Sequence, residues 1–218
     1  MACTFVIDRG NSISKDFEYE GEIGNLIFRD YEKSASTFPE TIKELTLDIN
    51  YDLDRIFFPK YLEKLTFGDY FNQNIKNVNF PETLTELTFG WNFNQDIRNA
   101  NFPSSLRKLT LGNSFNYDII EANFPQNLTH LTLGWNFNRD IRNAKLPQNL
   151  THLVLGDGFN QDIKDANFPF SLTELTLGYR FNHDLKNVNF PKSLKNLTLN
   201  QKMKQNKILS SSIIINYI

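Results

Sequence analysis

All eight prolines of this 218-residue chain stand in one register. They are Pro39, Pro59, Pro81, Pro103, Pro125, Pro147, Pro169 and Pro191, separated by one step of 20 residues and six of 22. A chain whose corner residue returns at a constant interval builds the same small unit repeatedly, which excludes most globular topologies and predicts a stack of equal coils. Other residues keep the same step. Glycine recurs as Gly68, Gly90, Gly112, Gly134, Gly156 and Gly178, and asparagine as Asn72, Asn94, Asn116, Asn138, Asn160 and Asn182. The coil from Pro39 is two residues short, and the pattern fades after Leu199, as the two ends of a repeat array require.

Within one coil the apolar residues fit neither a helix nor a single strand. Counting from Pro81 they are Leu84, Leu87, Phe89, Phe93, Ile97, Ala100 and Phe102, and the next coil repeats them as Leu106, Leu109, Leu111, Phe115, Ile119, Ala122 and Phe124. The stretch "LTELTFG" has the L-x-x-L-x-L rhythm of a leucine-rich-repeat strand, with Leu87 and Phe89 inward and Glu86 and Thr88 outward. Gly90 is expected to open a turn with positive φ. Phe93 and Ile97 then fill the core from the returning segment, and the Phe-Pro pair makes an extended corner. About ten residues remain for the return, too few for a long helix, so irregular or 3₁₀ structure is expected. Asn94 and its counterparts are expected to bond backbone groups inside the turn and to stack as a buried ladder of amides.

A coil of this size cannot bury enough apolar surface to order itself. Stacking must complete it, through lateral backbone hydrogen bonds at about 4.8 Å per coil and one continuous interior. Residues 39–200 therefore read as seven coils of 20–22 residues and a partial eighth, residues 1–38 as an N-terminal cap, and 201–218 as a C-terminal cap or tail. Short apolar segments at Phe5 to Ile7 and Leu26 to Phe28 suit a cap. The tail "SSSIIINYI" either covers the last coil as a strand or leaves a β-prone edge through which an otherwise monomeric chain self-associates.

The units "LTFGDYFNQNI", "LTFGWNFNQDI", "LTLGNSFNYDI", "LTLGWNFNRDI", "LVLGDGFNQDI" and "LTLGYRFNHDL", each preceded by F-P-x-x-L or L-P-x-x-L, resemble FNIP repeats, relatives of leucine-rich repeats found in giant DNA viruses and social amoebae. The resemblance covers residues 37 to 200. It implies a leucine-rich-repeat-like solenoid with a parallel sheet on one face, serving as a non-enzymatic protein-interaction scaffold. Some family members carry an F-box ahead of the repeats, which implies the alternative of a substrate-recognition subunit for a ubiquitin ligase. Residues 1 to 36 show no F-box-like pattern, so such a ligase would be assembled in trans. Most coils also carry Asp or Asn where the family often has Pro after F-N-x.

Composition narrows the partners. A formal net charge of −2 supplies no excess of Lys and Arg for nucleic acid or anionic lipid, so neither nucleic acid nor membrane is expected. The single Cys3 cannot form an internal disulfide, no export signal is visible, and the run "IIINYI" is far short of a bilayer span. The expected location is the cytoplasm, that of the host if the chain is viral. Phosphate loops, nucleophile elbows and paired zinc motifs are missing, so neither catalysis nor a cofactor is expected.

Function is sought in the outward columns. One runs Glu44, Lys64, Glu86, Lys108, His130, His152, Glu174 and Asn196, whose alternating charges suit cross-strand pairing. His130 and His152 fall on neighbouring strands, close enough to share a metal but with no third ligand. The threonines beginning at Thr46 suit a pleated sheet. The column Asp52, Asn74, Asp96, Asp118, Asp140, Asp162 and Asp184 lacks the nine-residue glycine-aspartate pattern of a calcium β-roll, and its aspartates are expected to cap turn amides and to be balanced by bases such as Arg98 and Arg142. After the glycines come Asp69, Trp91, Asn113, Trp135, Asp157 and Tyr179. Coils 84–105 and 128–149 match at 15 of 22 positions, so this alternation is in part the trace of a duplicated two-coil unit. Trp91, Trp135 and Tyr179, with His130 and His152, are the candidate protein-binding residues, because exposed rings anchor interfaces.

Overall fold

The computed structural model describes residues 3–7, 23–28, 36–48, 50, 53, 56–205 and 213–217. Its strands in chain order are β1 (Cys3–Ile7), β2 (Ile23–Phe28), β3 (Ser36–Thr37), β4 (Glu44–Leu47), β5 (Ile56–Phe57), β6 (Lys64–Phe67), β7 (Glu86–Thr88), β8 (Lys108–Thr110), β9 (His130–Thr132), β10 (His152–Val154), β11 (Glu174–Thr176), β12 (Asn196–Leu199) and β13 (Ile214–Tyr217). Eleven of them form one parallel sheet in the order β1-β2-β4-β6-β7-β8-β9-β10-β11-β12-β13, while β3 and β5 pair separately. From β6 to β12 each residue faces its equivalent one coil on: Leu65 opposite Leu87, Leu87 opposite Leu109, and so on to Leu197. The protein is a leucine-rich-repeat-like solenoid.

Beyond the strand, three tight turns close each coil from Pro59 to Pro169. In the coil from Pro81, Leu84 N–H donates to the Pro81 carbonyl (3.0 Å), Phe93 N–H to Gly90 (3.3 Å) and Ala100 N–H to Ile97 (3.1 Å). Each bond spans three residues, so the chain turns three corners without a helix, which is why about ten residues suffice for the return. Every proline from Pro39 to Pro191 supplies the carbonyl of such a turn, its missing N–H facing no partner strand. Among the described residues the one helical segment is the 3₁₀ turn Gln201–Gln205, after the last full coil.

Glycine recurs for a different reason from the one its place in a turn suggests. Gly156 alone of the described glycines has positive φ, at 69°. What the column needs is room. A Cβ on Gly112, Gly134, Gly156 or Gly178 would fall onto the carbonyl oxygen of the glycine one coil earlier, and one on Gly90 would lie 2.6 Å from the Asp69 nitrogen as well. The backbone at the strand exit packs directly on the backbone below it, and any side chain would force the coils apart. In the last coil Asn200 takes this place. It is 2% exposed, and its amide donates to the carbonyls of Tyr179 (2.8 Å) and Phe181 (2.6 Å) that a further coil would otherwise cover. Met203, also buried, stands one coil above Phe181. The repeat thus continues structurally past Leu199 with substitute residues, and β13 then pairs with β12 in parallel register.

The core is a set of stacked columns. Phe71, Phe93, Phe115, Phe137, Phe159 and Phe181 are fully buried, their ring centroids 6.1 to 6.4 Å apart and their planes within 8° of parallel. Offset stacking of this kind adds to the area each ring buries. The spacing also reports curvature, because equivalent atoms of successive coils are separated by the local coil-to-coil displacement. Strands in a sheet lie about 4.8 Å apart. The His130 and His152 rings on the outward face of the sheet stack at 4.0 Å, whereas Phe58 and Phe80 at the proline corner are 6.0 Å apart and Phe80 and Phe102 6.3 Å. The coils crowd at the outer face of the sheet and fan apart behind it, so the sheet is the concave side of an arc.

The asparagine column forms a ladder, but a partly exposed one rather than the buried one expected. The Oδ1 of each asparagine accepts the backbone N–H of the asparagine 22 residues later: Asn72 from Asn94 (2.9 Å), Asn94 from Asn116 (3.0 Å), Asn116 from Asn138 (3.0 Å), Asn138 from Asn160 (2.9 Å) and Asn160 from Asn182 (3.1 Å). Gln95 and Gln161 add side-chain bonds to the Asn72 and Asn138 oxygens, and Gln73 to that of Asn50, which also accepts the Asn72 N–H. Two substitutions separate these effects. Gly134→Ala, which overpacks backbone against backbone, should cost about 1–3 kcal/mol and lower the melting midpoint clearly. Asn116→Ala, which removes one partly hydrated acceptor, should cost about 1 kcal/mol. Thermal unfolding followed by circular dichroism measures both, and an Asn116→Ala loss larger than that of Gly134→Ala would reverse this ranking.

Candidate protein-interaction face

The concave sheet face carries two outward columns. In the first, Glu44, Lys64, Glu86 and Lys108 are direct cross-strand partners, with Lys64 Nζ 2.8 Å from Glu44 and Lys108 Nζ 3.0 Å from Glu86. Both pairs are solvated at the surface and contribute little net stability, but they neutralise the upper half of the column. In the second column Thr46, Thr66, Thr88, Thr110, Thr132, Val154, Thr176 and Thr198 are all half-buried between neighbouring strands.

His130 and His152 are brought together as register partners in the first column. Their rings stack 4.0 Å apart at 11°, each Nδ1 lying against the preceding threonine hydroxyl, Thr129 at 2.9 Å and Thr151 at 2.8 Å. His152 Nε2 is 3.5 Å from a Glu174 carboxylate oxygen. Face-to-face stacking sends equivalent ring nitrogens in parallel rather than toward a common point, and a shared metal needs convergence. Among the described residues no group of three His, Cys, Asp or Glu is placed to hold a metal. Burial, and then the His152 and Lys108 charges, push the His130 imidazole below its ordinary range.

Trp91, Trp135 and Tyr179 lie at the other end of the strands, on the rim where the chain leaves the sheet, with 55%, 52% and 54% of their surface exposed. Their backbone is fixed by a second ladder. Asn92 N–H donates to the Asp69 carbonyl (2.9 Å), Ser114 to Trp91 (2.8 Å), Asn136 to Asn113 (2.8 Å), Gly158 to Trp135 (2.6 Å) and Arg180 to Asp157 (3.0 Å). The two aspartates of the row hold the ring that follows them, since Asp69 Oδ1 accepts the Trp91 N–H at 3.0 Å and Asp157 Oδ1 the Tyr179 N–H at 3.4 Å. The three rings are not equivalent. Lys202 Nζ stands 5.2 Å from the centre of the Tyr179 ring, within cation–π range. A further ring, Tyr70, is 67% exposed beside Asp69, and it borders an open groove of about 470 Å³ that runs past Trp91. The row of residues after the glycines missed Tyr70, because it stands one place later in the coil, where other coils carry Asn92, Ser114, Asn136, Gly158 and Arg180.

The aspartate column belongs to the return path. Asp96, Asp118, Asp140, Asp162 and Asp184 each accept the backbone N–H two residues on, at 2.8 or 2.9 Å, so they close turns. Arg98 and Arg142 double back onto Asp96 and Asp140 at 2.5 and 2.6 Å, and their hydrogen bonds hold both carboxyls below the usual carboxylate range. Asp52, at the head of the same column, lies outside the described residues.

A family model described as the FNIP repeat matches residues 35–70, 71–114, 115–158 and 159–202. The chain belongs to the FNIP repeat family. Three of these FNIP matches are 44 residues long, twice the 22-residue coil, which agrees with the alternation of Trp91 and Trp135 with small polar residues. Among solved structures the FNIP chain is similar to CroV588, whose crystal structure is described as that of a novel circular LRR protein. The two share 33% identity with a TM-score of 0.68 over 90% of this chain and 34% of the other, so the chain spans about a third of the length of that protein. No curated protein matches it. Among the described residues no helix is long and apolar enough to cross a membrane.

The histidine stack yields a pH dependence whose sign follows from the direction of the shift. His130 is held below its ordinary pKa of about 6.5, so the fold favours the neutral ring. Its contribution is complete above that value and declines as pH falls through it, because the unfolded chain binds the proton first. Melting midpoints measured from pH 7.5 to 5 should therefore fall more for the wild type than for His130→Gln, and parallel curves would show that the stack carries no proton linkage.

Proposed function

We propose that the chain is a non-enzymatic scaffold that docks a protein partner on the concave sheet face, through the strand-exit rim that carries Trp91, Trp135 and Tyr179. The observation that carries this reading is the exposure of about half of each ring on a backbone locked by a coil-to-coil ladder. Rigid, half-exposed aromatics present a large contact area with little left to order on binding, and they are enriched where binding energy concentrates. The inward curvature of the sheet adds to this, since a partner seated against it meets several coils at once.

Neighbouring features support a contact surface rather than a reaction centre. The charged column is paired within itself, and the histidines stack against each other and their threonines. The aspartates of the return path are committed to turn amides. Each of these groups thus has a structural task.

The test is replacement of all three rings by alanine, with circular dichroism to verify that the solenoid persists. Affinity purification from the native cell or infected host should then lose the partners recovered by the wild type, by tenfold or more if two rings act as anchors at about 1–2 kcal/mol each. Recovery of the same partners in the same amounts would exclude the rim. If the lost partners are cullin-complex components, the scaffold presents substrates to a ubiquitin ligase assembled in trans.

A further inference from the structure

Exposed rings alternate with recessed residues along the rim. Trp91, Trp135 and Tyr179 stand about half exposed, whereas Asn113 and Asp157 between them are half-buried and Gly158 is buried. The recessed backbone is fixed against that of the ring residues, because Ser114 N–H donates to the Trp91 carbonyl and Gly158 N–H to that of Trp135. A Cβ on Gly158 would stand only 2.7 Å from the Trp135 oxygen. The rim is thus a corrugation, with one hollow at Asn113 between Trp91 and Trp135 and a second at Asp157 between Trp135 and Tyr179.

Period and area together select what fits it. The period is two coils, about 9.6 Å at the spacing that backbone hydrogen bonding sets between strands. A polyproline II segment, with three residues per turn and a rise of 3.1 Å, presents the same face every ~9.3 Å. A β-strand repeats its face at about 6.8 Å, which falls out of step at the second hollow. A helix repeats at about 10.5 Å over seven residues and drifts by about 1 Å at each ring. Three half-exposed rings present on the order of 300 Å², well under the roughly 800 Å² per partner of a standard interface between folded domains. An area of that size suits a short linear segment.

We infer that the partner is held on this rim by a proline-rich segment in the polyproline II conformation, with two prolines three residues apart seated in the two hollows. This rests on the docking reading above and names the segment that the partner brings. The proline ring packs against the aromatic walls of a hollow, and a segment that is already extended loses little freedom on binding. Its carbonyls make no internal hydrogen bonds, so the indole N–H groups can donate to them.

Both tryptophans of the chain stand on the rim, so their indole N–H resonances report on it directly. The test titrates the full chain with Ser-Ala-Pro-Ser-Ala-Pro-Ser-Ala and with its isomer Ser-Ala-Ser-Pro-Ala-Pro-Ser-Ala, in which the prolines are two residues apart. Both indole signals should shift, with the first peptide binding about fivefold more tightly or better. Asn113→Trp fills the first hollow with a side chain that the coils on either side already carry, and should remove that preference with the circular dichroism spectrum unchanged. His130→Gln, on the sheet face rather than the rim, should leave it intact. Equal binding of the two peptides to the wild type overturns the inference, as does the absence of any indole shift. A helical peptide with leucines seven residues apart that binds more tightly than the proline peptide also overturns it and makes the partner segment a helix. Loss of lysate partners in the triple ring variant alongside their full recovery by Asn113→Trp would leave the docking rim standing and reject the proline segment.

Discussion

Backbone-on-backbone contact between equivalent residues of successive coils is the constraint on which the rest of this structure depends. At the strand exit a glycine lies against the carbonyl of the glycine before it, with no space for a methyl group. That contact sets the register, and every column follows from it: leucine opposite leucine in the sheet, phenylalanine over phenylalanine in the core, asparagine bonded to asparagine at the edge. A solenoid of this kind has no long-range topology to solve. Its stability is a sum of coil and interface contributions, and each coil completes the one before.

Curvature follows from the sizes of the residues in those columns. Phenylalanine stacks at the returning side and the proline corner hold the coils about 6 Å apart, while hydrogen bonding holds the strands near 4.8 Å and the outward histidines approach to 4.0 Å. The sheet is therefore the inner wall of an arc. Its rim rings and charged columns face a shared concave space.

Columns also divide the labour of polar groups. Aspartates of the return path resemble a metal-binding row in sequence, yet each closes its own turn by accepting an amide two residues on. The rim aspartates differ, since they reach to the next coil and anchor the backbone of an exposed ring. The same residue type thus closes a turn on one edge and anchors the backbone of the next coil on the other. The separating variable is whether the carboxylate bonds within its coil or across coils.

Repetition made much of this protein readable before any coordinates. Strict spacing of Pro, Gly and Asn determined the coil length, the strand positions and which residues become neighbours, because equal path lengths force equal positions into register. Tertiary structure alone decided the rest. Glycine proved necessary for closeness rather than for positive φ, the asparagine ladder ran along a partly hydrated edge, and Asn200 with Met203 extended the stack past the point where the letters change. Tyr70, Trp91 and Asp69 met in one groove beside a sheet that curves inward. A repeat pattern specifies distances along the chain and between identical positions, whereas burial, curvature and contacts between different columns depend on how side-chain volumes fill the space between coils, and that is settled only when the whole stack packs.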